Sequence, residues 1–501
     1  MKNPNWRHYL IFAFFGLAVY FPFFHHLEWE PVHNWDESLF AMRAGYMAEE
    51  GKYLPDYNHW VEGGPLHRST KPPFTIWLQA LSMKIFGINE LGLRFPIALT
   101  VLATLVLFLV ISKKYLGDIK IGYCAGFVLA TTLGFVKAHA ARTGDQDAAL
   151  AFYMLAGAIA FYRYIESDTD RERWKWLAML TLSLIASALT KYVFGLFFLP
   201  AFAVYALYKK QLLNILKRAS TWLAVLVFAL ATVGWLLIME QRLPGFIERA
   251  FFYEMVDRYA TVIEEHDGPW TYYFERMLDN RFMPWLYMLP VPLALLFLKK
   301  NGPYRDLVLL IFLCAASLLA IVSFSQTKTV HYDITAYPPL AFLAGIGLYE
   351  VIKSLFAVAK HRIYLPLVLV FGLLYFAKPF LFEPYMKILD RTYKPKHTIA
   401  TMKYGYLFRK LKSREEPVKR FTLVHSGFDG QGLFYAGVFN RKYGYDIKIS
   451  INPEQVKTGD TIMVCDKNII RYLFDRWELQ GIESADHCFV AAVLECKDQG
   501  D

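Results

Sequence analysis

Long apolar segments alternate with short polar segments from residue 11 to about residue 377. A bilayer core is about 30 Å thick, so a helix that crosses it needs about 20 mostly apolar residues. By this measure the pattern predicts about 11–13 transmembrane helices. The candidate spans are residues 8–24, 93–112, 121–138, 147–165, 174–190, 192–208, 219–239, 283–299, 306–324, 334–355 and 361–377.

The pattern changes near residue 378, where the long apolar segments stop. Residues 378–412 are basic and aromatic, which predicts an amphipathic connector lying on the membrane surface. Residues 413–501 carry shorter runs that predict a small soluble α/β domain. Its predicted elements are strands at 421–425, 461–465 and 487–494 and helices at 430–438 and 468–477. We therefore expect a mainly α polytopic membrane protein whose transmembrane part is residues 1–377, followed by this domain.

The polar segments between the spans are of two kinds. One kind is merely basic, and by the positive-inside rule it marks the cytoplasmic side. It comprises Lys113/Lys114, Lys209/Lys210, Lys217/Arg218, Lys299/Lys300 and Lys360/Arg362. The other kind combines acids, histidines, lysines and aromatic residues, and alternation then places it outside the cytoplasm. These extracytoplasmic loops are expected at about 25–92, 139–147, 240–282 and 325–333, with Lys191-Tyr192 on the same side.

Composition supports a membrane protein and argues against a nucleic-acid partner. Of the 501 residues, 55% are hydrophobic and the mean hydropathy is +0.27, whereas a soluble chain averages roughly 45–50% apolar residues. The net charge of +10 lies in short loops between apolar runs. Such charges are typical of topology signals and contacts with lipid headgroups.

Cysteines are few and show no Cys-x-x-Cys spacing typical of a metal site. Cys124 and Cys314 lie in apolar spans, where we interpret them as small core residues. Cys465, Cys488 and Cys496 lie in the outer domain, where an oxidising compartment would permit one disulfide among them.

Two short motifs in the first outer loop combine charged residues with unusual backbone. Asp36-Glu37 follows Trp35 and precedes a helical pattern, so Asp36 either favours the helix dipole or serves as a carboxylate at the membrane surface. Lys71-Pro72-Pro73 places a lysine on a stiff backbone before an apolar helix. That lysine either snorkels to headgroups or binds a phosphate.

The order of these motifs resembles the GT-C glycosyltransferases of the protein O-mannosyltransferase superfamily. The resemblance rests on Trp35-Asp36-Glu37, Lys71-Pro72-Pro73 with Trp77, Phe86-Gly87 and Arg94-Phe95-Pro96, and extends to about residue 350. More narrowly, the chain is similar to the bacterial lipid A aminoarabinose transferases. This implies an inverting transfer of a sugar from a polyprenyl-phosphate donor in the bacterial inner membrane, with the active site and the C-terminal domain on the periplasmic side.

The resemblance also implies roles for individual residues. Asp36 would be the catalytic base, with Asp147 as the second candidate and Glu37 beside them. The donor phosphate would be bound by Lys71, Arg258, Lys328 and Tyr332. Further candidates for substrate binding are Arg142, Asp145, His331, His266 and Trp270.

The sequence gives little support for a bound metal. Asp145-Gln-Asp147 matches the Asp-x-Asp triplet of metal-dependent enzymes that use nucleotide sugars, but no nucleotide-binding βαβ pattern surrounds it. Met255 and Thr70 replace a His and a Glu of the family pattern. We therefore expect no cofactor and do not favour a divalent metal.

A polytopic transporter or lipid flippase is the main alternative. Such proteins place ionisable residues near the middle of the bilayer, often in repeated halves. Here the charges cluster in loops and no repeat is evident. A nonenzymatic scaffold that displays the outer domain is a third interpretation, but it leaves the outer Asp, Lys and Arg residues unexplained. Within the transferase interpretation the acceptor stays open between a lipid, a protein and a glycan, and we expect a monomer.

Overall fold

The computed structural model describes most of the chain. The described residues are 6–54, 70–136, 139–263, 265–298, 302–359, 378, 382–393, 403–427, 430–485 and 487–497. The candidate span 361–377 and the basic pairs Lys299/Lys300 and Lys360/Arg362 lie outside them.

Helices dominate the described residues up to position 413. They are α1 (Trp6–Phe23), α2 (Asp36–Glu50), α3 (Phe74–Phe86), α4 (Glu90–Ile111), α5 (Ile119–Ala130), α6 (Leu133–Val136), α7 (Asp147–Ile165), α8 (Asp170–Lys191), α9 (Leu199–Tyr208), α10 (Leu212–Lys217), α11 (Ala219–Arg242), α12 (Phe246–Phe251), α13 (Arg258–Ala260), α14 (Tyr272–Arg276), α15 (Pro290–Leu298), α16 (Pro303–Phe324), α17 (Tyr337–Ala359), α18 (Glu383–Tyr393) and α19 (Lys403–Ser413). Short π-helical segments occur at Ser112–Leu116, Phe252–Asp257 and Met277–Arg281, and 3-10 turns at Tyr192–Leu196, Trp285–Met288 and Ile334–Ala336.

Local sequence explains where several of these helices begin and end. The Thr169 hydroxyl accepts a hydrogen bond from the Glu172 amide at 3.3 Å and caps the start of α8. Asn89 caps α4 in the same way through the amide of Gly92. Helix α2 ends at Gly51, whose φ of 68° is in the left-handed region that favours glycine.

Six helices within the described residues are long and apolar enough to cross a membrane. They are Glu90–Leu116, Asp147–Ile165, Asp170–Leu196, Ala219–Arg242, Pro303–Phe324 and Ile334–Ala357. Tyr272–Arg281 and Trp285–Leu298 pass the same test only as a pair, bent by 103°. Other predicted spans form shorter apolar helices, at Tyr9–Phe23, Ile119–Ala130 and Leu199–Tyr208. The mainly α, membrane-type fold predicted from the pattern is confirmed.

The helix bundle has two chemically different ends. At one end Lys209 forms ion pairs with Glu166 at 2.9 Å and with Asp306 at 2.8 Å, joining the end of α9 to the end of α7 and the start of α16. At the other end Lys191, the last residue of α8, contacts Asp147, the first residue of α7. The basic pairs Lys113/Lys114 and Lys209/Lys210 therefore lie at the opposite end of the bundle from the chemically unusual loops.

A five-stranded sheet follows, in the order β2-β1-β3-β5-β4. Its strands are β1 (Arg420–Val424), β2 (Asp446–Ser450), β3 (Thr461–Val464), β4 (Trp477–Ala485) and β5 (Cys488–Cys496). Strand β1 is parallel to β2 and β3, whereas β5 is antiparallel to β3 and β4. Helices α20 (Gly430–Tyr443) and α21 (Lys467–Arg476) lie between strands in the chain. Cys465 and Cys488 form a disulfide, and Cys496 is exposed with a free thiol.

The sheet shares one hydrophobic core with the first outer loop. Buried residues of α2, such as Phe40 and Met47, belong to the same cluster as Leu407, Phe421 and Phe439. Polar contacts join the same elements. The Val32 amide donates to the Tyr435 hydroxyl at 3.0 Å, that hydroxyl donates to Glu90 at 2.7 Å, and the Gln431 amide donates to the Val32 carbonyl.

This packing differs from the prediction for residues 378–412. That stretch was expected to lie on the membrane surface, but α19 buries Tyr404, Leu407, Phe408 and Leu411 against the sheet and α20. The apolar face of α19 is covered by protein because it shares one buried cluster with residues of the first outer loop and of the sheet.

Candidate active site

A polar pocket lies at the end of the bundle opposite Lys209. It is lined by Asp36, Phe40, Lys71, Pro72, Asp145, Gln146, Asp147, Lys191, Tyr192, Phe194, Glu254, Arg258, His331 and Tyr332. These residues come from six separate stretches of the chain, so the loops that the sequence placed on one side do meet.

Helix α2 supplies the first wall. Trp35 has a φ of 69°, which turns the chain sharply into the helix, and Asp36 is the first helical residue. The carboxylate of Asp36 lines the pocket together with Phe40, one turn later. Asp36 therefore occupies the favourable end of the helix dipole and the pocket at once, so the two interpretations of this residue are compatible.

The Lys71-Pro72-Pro73 segment forms the second wall with Glu254. The two prolines lead directly into α3, and Lys71 Nζ lies 2.9 Å from Glu254 Oε2. Thr70 donates to the other oxygen of Glu254 at 2.7 Å. Burial alone would raise the pKa of Glu254, yet the charges of Lys71 and Arg258 hold that pKa at about 2. Glu254 is therefore ionised and holds both cations in place.

Arg258 and Tyr332 continue the same wall. Arg258 Nε lies 3.3 Å from Glu254 Oε2, and Arg258 Nη1 donates to the Tyr332 hydroxyl at 3.2 Å. One carboxylate is thus shared by two cations, which leaves a net positive charge beside a phenol hydroxyl. This combination suits an anionic ligand.

Asp147 is connected to this wall by Lys191. Lys191 Nζ donates to Asp147 Oδ1 at 2.6 Å and lies 5.4 Å from the centre of the Tyr332 ring. The contact joins the start of α7 to the end of α8. A continuous path of contacts therefore runs from Asp147 through Lys191 and Tyr332 to Arg258.

A third group surrounds Asp36. Ligand atoms of Asp36, His139 and Asp145 all lie within 4.8 Å of one another, an arrangement that could hold a metal ion. His139 Nδ1 lies 3.4 Å from Asp145 Oδ1, and Thr143 donates to Asp145 Oδ2 at 2.6 Å. The charge of Asp145 raises the pKa of His139 to about 9, so at neutral pH His139 is mainly an imidazolium. In that state it supplies a positive charge beside two carboxylates.

His331 connects this group to Tyr332. Its ring stacks on that of His139, with centroids 4.9 Å apart, and contacts the Tyr332 ring edge-on at 5.3 Å. Loss of solvation and the nearby Lys191 lower the pKa of His331 well below its usual value. His331 is therefore neutral, next to the protonated His139.

Glu37, predicted to be catalytic with Asp36, has a different position. It is fully buried and accepts hydrogen bonds from Arg94 Nε at 2.7 Å, from Arg94 Nη2 at 3.0 Å and from the amide of Gly144 at 2.6 Å. Both oxygens are thereby engaged, and Glu37 does not line the pocket. It braces the first loop against α4 and the 139–147 loop, a position that favours a structural role over the predicted catalytic one.

Lys328, predicted to bind phosphate, is also turned away. Its ammonium donates to the carbonyls of Ser323 at 2.8 Å, Val322 at 3.4 Å and Ser325, at the end of α16. The helix terminus leaves these carbonyls without internal partners, and the lysine satisfies them. The structure therefore assigns Lys328 to capping rather than to the pocket.

Three further candidates do not reach the pocket. Arg142 donates to the carbonyls of Pro22 at 3.1 Å, His25 at 2.9 Å and His26 at 3.3 Å, and so holds the end of α1. His266 is exposed, and its carbonyl accepts from the Lys328 amide at 2.7 Å. Trp270 is 62% exposed.

Sequence reasoning did not assign site roles to Glu254, Lys191, Tyr192 and His139. Glu254 precedes Arg258 by four residues, a spacing that places both on one helical face and signals an ion pair. Lys191-Tyr192 stood out as a polar break between two apolar runs. His139 carried no such signal, because a single histidine at the end of an apolar run is common.

The sequence of this chain is similar to those of known transferases. The family model for dolichyl-phosphate-mannose-protein mannosyltransferases matches residues 70–238. An undecaprenyl phosphate-α-4-amino-4-deoxy-L-arabinose arabinosyl transferase of Pseudomonas savastanoi is 27% identical over 343 residues, which is 68% of this chain. That alignment spans 61% of the relative's own length. An uncharacterized protein of Aquifex aeolicus is 29% identical over 66% of this chain and 62% of its own length.

Solved structures show the same fold. The crystal structure of ArnT from Cupriavidus metallidurans bound to undecaprenyl phosphate superposes with a TM-score of 0.71, at 16% identity and 97% coverage of both chains. The archaeal oligosaccharyltransferase AglB from Archaeoglobus fulgidus gives a TM-score of 0.55 at 11% identity, covering 87% of this chain and 64% of AglB. The chain has the GT-C fold, and its sequence is similar to those of aminoarabinose transferases.

Proposed function

We propose that this chain is an integral membrane glycosyltransferase that moves a sugar from a polyprenyl-phosphate donor to an acceptor of the cell envelope. The similarity to arabinosyl transferases supports the donor class, since the relative from Pseudomonas savastanoi is named for an undecaprenyl-phosphate sugar. We further propose that the pocket and the sheet domain face the periplasm of a bacterial inner membrane, because the basic pairs lie at the other end of the bundle.

One observation carries the proposal. One pocket at the end of apolar helices is lined both by carboxylates, among them Asp36 and Asp147, and by the cations Lys71 and Arg258. A polyprenyl phosphate presents a long apolar tail and an anionic head. The tail stays among lipids or helices while the head reaches this pocket, so the boundary position suits the substrate.

The geometry supports a single displacement at the anomeric carbon. As an acceptor oxygen forms its bond to that carbon, the bond to the phosphate oxygen breaks and the phosphate keeps the electron pair. Arg258, Lys71 and the Tyr332 hydroxyl stabilise the growing negative charge, an effect typically worth about 10²–10³ in rate for one donor. The anomeric configuration inverts, and no covalent sugar-enzyme intermediate is required.

The acceptor proton passes to a carboxylate. Asp36 is the proposed base because no lysine or arginine forms a described ion pair with it, whereas Asp147 is held by Lys191 at 2.6 Å. Asp147 then positions Lys191 under the Tyr332 ring and keeps the pocket wall in place.

We propose that this chemistry proceeds without a metal. The Asp36, His139 and Asp145 group has suitable ligand atoms, but ion pairing already neutralises Asp145. Chelation with EDTA followed by assay is the direct check. Full activity after chelation is expected, and activity that disappears and returns with one divalent metal contradicts this part of the proposal.

The proposal is tested by comparing envelope lipids, glycans and glycoproteins by mass spectrometry in cells with wild-type protein and with Asp36→Asn. A pentose, hexose or amino sugar that is present with wild type and absent with Asp36→Asn is expected. Glu28→Gln is the matched control, since that carboxylate is half exposed and lies outside the pocket. Identical envelopes with equal protein amounts contradict the proposal. If lipid movement rather than sugar transfer is lost, the flippase alternative is favoured.

A further inference from the structure

A buried arginine beside the pocket is not used by the proposed mechanism. Arg43 lies on α2, seven residues after Asp36, and is 4% exposed. Its Nε and Nη1 atoms have no hydrogen-bond partner, and no ion pair among the described residues includes it. A buried charge without a partner is strongly unfavourable, so its presence requires an explanation.

Arg43 is not itself one of the lining residues, but its surroundings place it directly behind them. Residues on a helix lean toward its N-terminus, so the long side chain of Arg43 extends toward the turn of Phe40 and Asp36, both of which line the pocket. The guanidinium interacts electrostatically with Asp36, Glu254 and Tyr192, which also line it. Burial lowers the pKa of Arg43 to about 10, so the group is still charged at neutral pH.

The other cations at the pocket already have anionic partners. Lys71 and Arg258 share Glu254, and Lys191 pairs with Asp147. Lys328, the remaining lysine expected there, caps α16 instead. Among the described residues around the pocket, Arg43 is thus a buried cation for which neither a hydrogen bond nor an ion pair is found.

We propose, on the basis of the proposed function, that Arg43 forms part of a phosphate-binding subsite on the α2 wall of the pocket. A planar guanidinium with free Nε and Nη atoms suits two oxygens of a phosphate ester. Such a phosphate comes from the polyprenyl-phosphate donor or from an acceptor that bears a phosphate. Either way, the ligand supplies the negative charge that balances Arg43.

The test uses the full chain in nanodiscs with two probes, undecaprenyl phosphate and bisphosphorylated lipid A, the latter compared with its dephosphorylated form. Arg43→Met is expected to lower affinity for a phosphate-bearing probe by about 10-fold or more, the usual range for a charge-assisted hydrogen bond. A loss confined to undecaprenyl phosphate assigns the subsite to the donor. A loss confined to bisphosphorylated lipid A assigns it to the acceptor.

Thermal unfolding without ligand separates binding from a structural role. Arg43→Met is expected to unfold at the same temperature as wild type or higher, because it removes an unmatched buried charge. Arg281→Met is the matched control: that arginine is equally buried but pairs with Asp333 at 2.7 Å, so its loss should lower the unfolding temperature.

Two outcomes contradict the subsite in different ways. Wild-type binding of a phosphate probe with unchanged affinity in Arg43→Met overturns the subsite and leaves the proposed function standing. No binding of either probe by wild type overturns the proposed function and the subsite with it.

Discussion

Arg94 donates hydrogen bonds to both carboxylate oxygens of Glu37, at 2.7 and 3.0 Å, and both side chains are almost completely buried. The pair joins the start of α2 to α4, directly beside Asp36. Breaking a buried ion pair by removing one partner typically lowers the free energy of unfolding by about 3–5 kcal/mol. We therefore predict that Glu37→Gln lowers the thermal unfolding temperature clearly, with activity lost in proportion to folded protein.

The control for this prediction is Glu28→Gln, which changes a half-exposed carboxylate in the same loop. It should unfold like wild type. If Glu37→Gln unfolded like wild type but lost its turnover, Glu37 would be catalytic after all, as first expected from the sequence.

Substitution by methionine should have different effects at Lys328 and at Arg258. We predict that Arg258→Met weakens binding of undecaprenyl phosphate by about 10-fold or more, because it removes a charge-assisted contact in the pocket. Lys328→Met should leave that affinity nearly unchanged and lower the unfolding temperature, because it uncaps α16. Equilibrium binding and thermal unfolding of both variants in detergent distinguish the two roles. Equal losses of affinity in Arg258→Met and Lys328→Met would indicate that Lys328 also contacts the phosphate.

Stability should depend on the protonation of His139. Its pKa is raised from the ordinary 6.5 to about 9 by Asp145, so the folded state binds this proton more tightly than the unfolded state. The resulting stabilisation is fully present below about pH 6.5 and is lost as the pH rises through about 9. We predict that the difference in unfolding temperature between wild type and His139→Gln shrinks between pH 6 and pH 10.

The measurements between pH 6 and pH 10 include one further variant, Asp145→Asn. This substitution removes the ion-pair partner of His139, so it should flatten the pH dependence of the unfolding temperature even though His139 is intact. A constant difference between wild type and His139→Gln across the series would show that the ion pair does not form.

Cysteine labelling tests the outer domain. Cys465 and Cys488 form a disulfide, Cys496 is exposed, and Cys314 is buried in α16. We predict that a membrane-impermeant maleimide added to intact spheroplasts modifies Cys496 without reductant. After reduction and denaturation, Cys465 and Cys488 should become reactive as well. Labelling of Cys496 only after the membrane is opened would place this domain in the cytoplasm.

The meeting of distant segments could be predicted because each polar motif sits at the end of an apolar run. Asp36, Lys71, Asp147 and Arg258 follow or precede candidate spans on the same side, and the structure brings all of them to one pocket. Alternation of spans predicts which loops share one side of the membrane without any knowledge of packing. The roles assigned to these residues stay predictions.

Side-chain direction could not be predicted with the same ease. Successive residues of a helix point about 100° apart, so Asp36 and its neighbour Glu37 necessarily face different surroundings. Which of them faces the pocket depends on where α4 packs. Lys328 was misplaced for a related reason: its partners are backbone carbonyls at the end of α16, which no side-chain motif reveals.

The sheet contains two strands that the apolar pattern of the sequence did not predict. The runs that predicted β1, β3 and β5 are continuous and buried, whereas β2 and β4 were missed. Both are edge strands, and β4 has mostly exposed or half-buried residues. Strand β2 does alternate exposed and buried residues, but over only five positions, which is a short signal in sequence.

The contact between Val32 and helix α20 has a consequence for how the pocket forms. Residues 32 and 435 are held together across most of the polypeptide, so the core that supports the helix of Asp36 is complete only once α20 has been synthesised. Formation of this core therefore depends on contacts of high sequence separation, which are typically made late in folding.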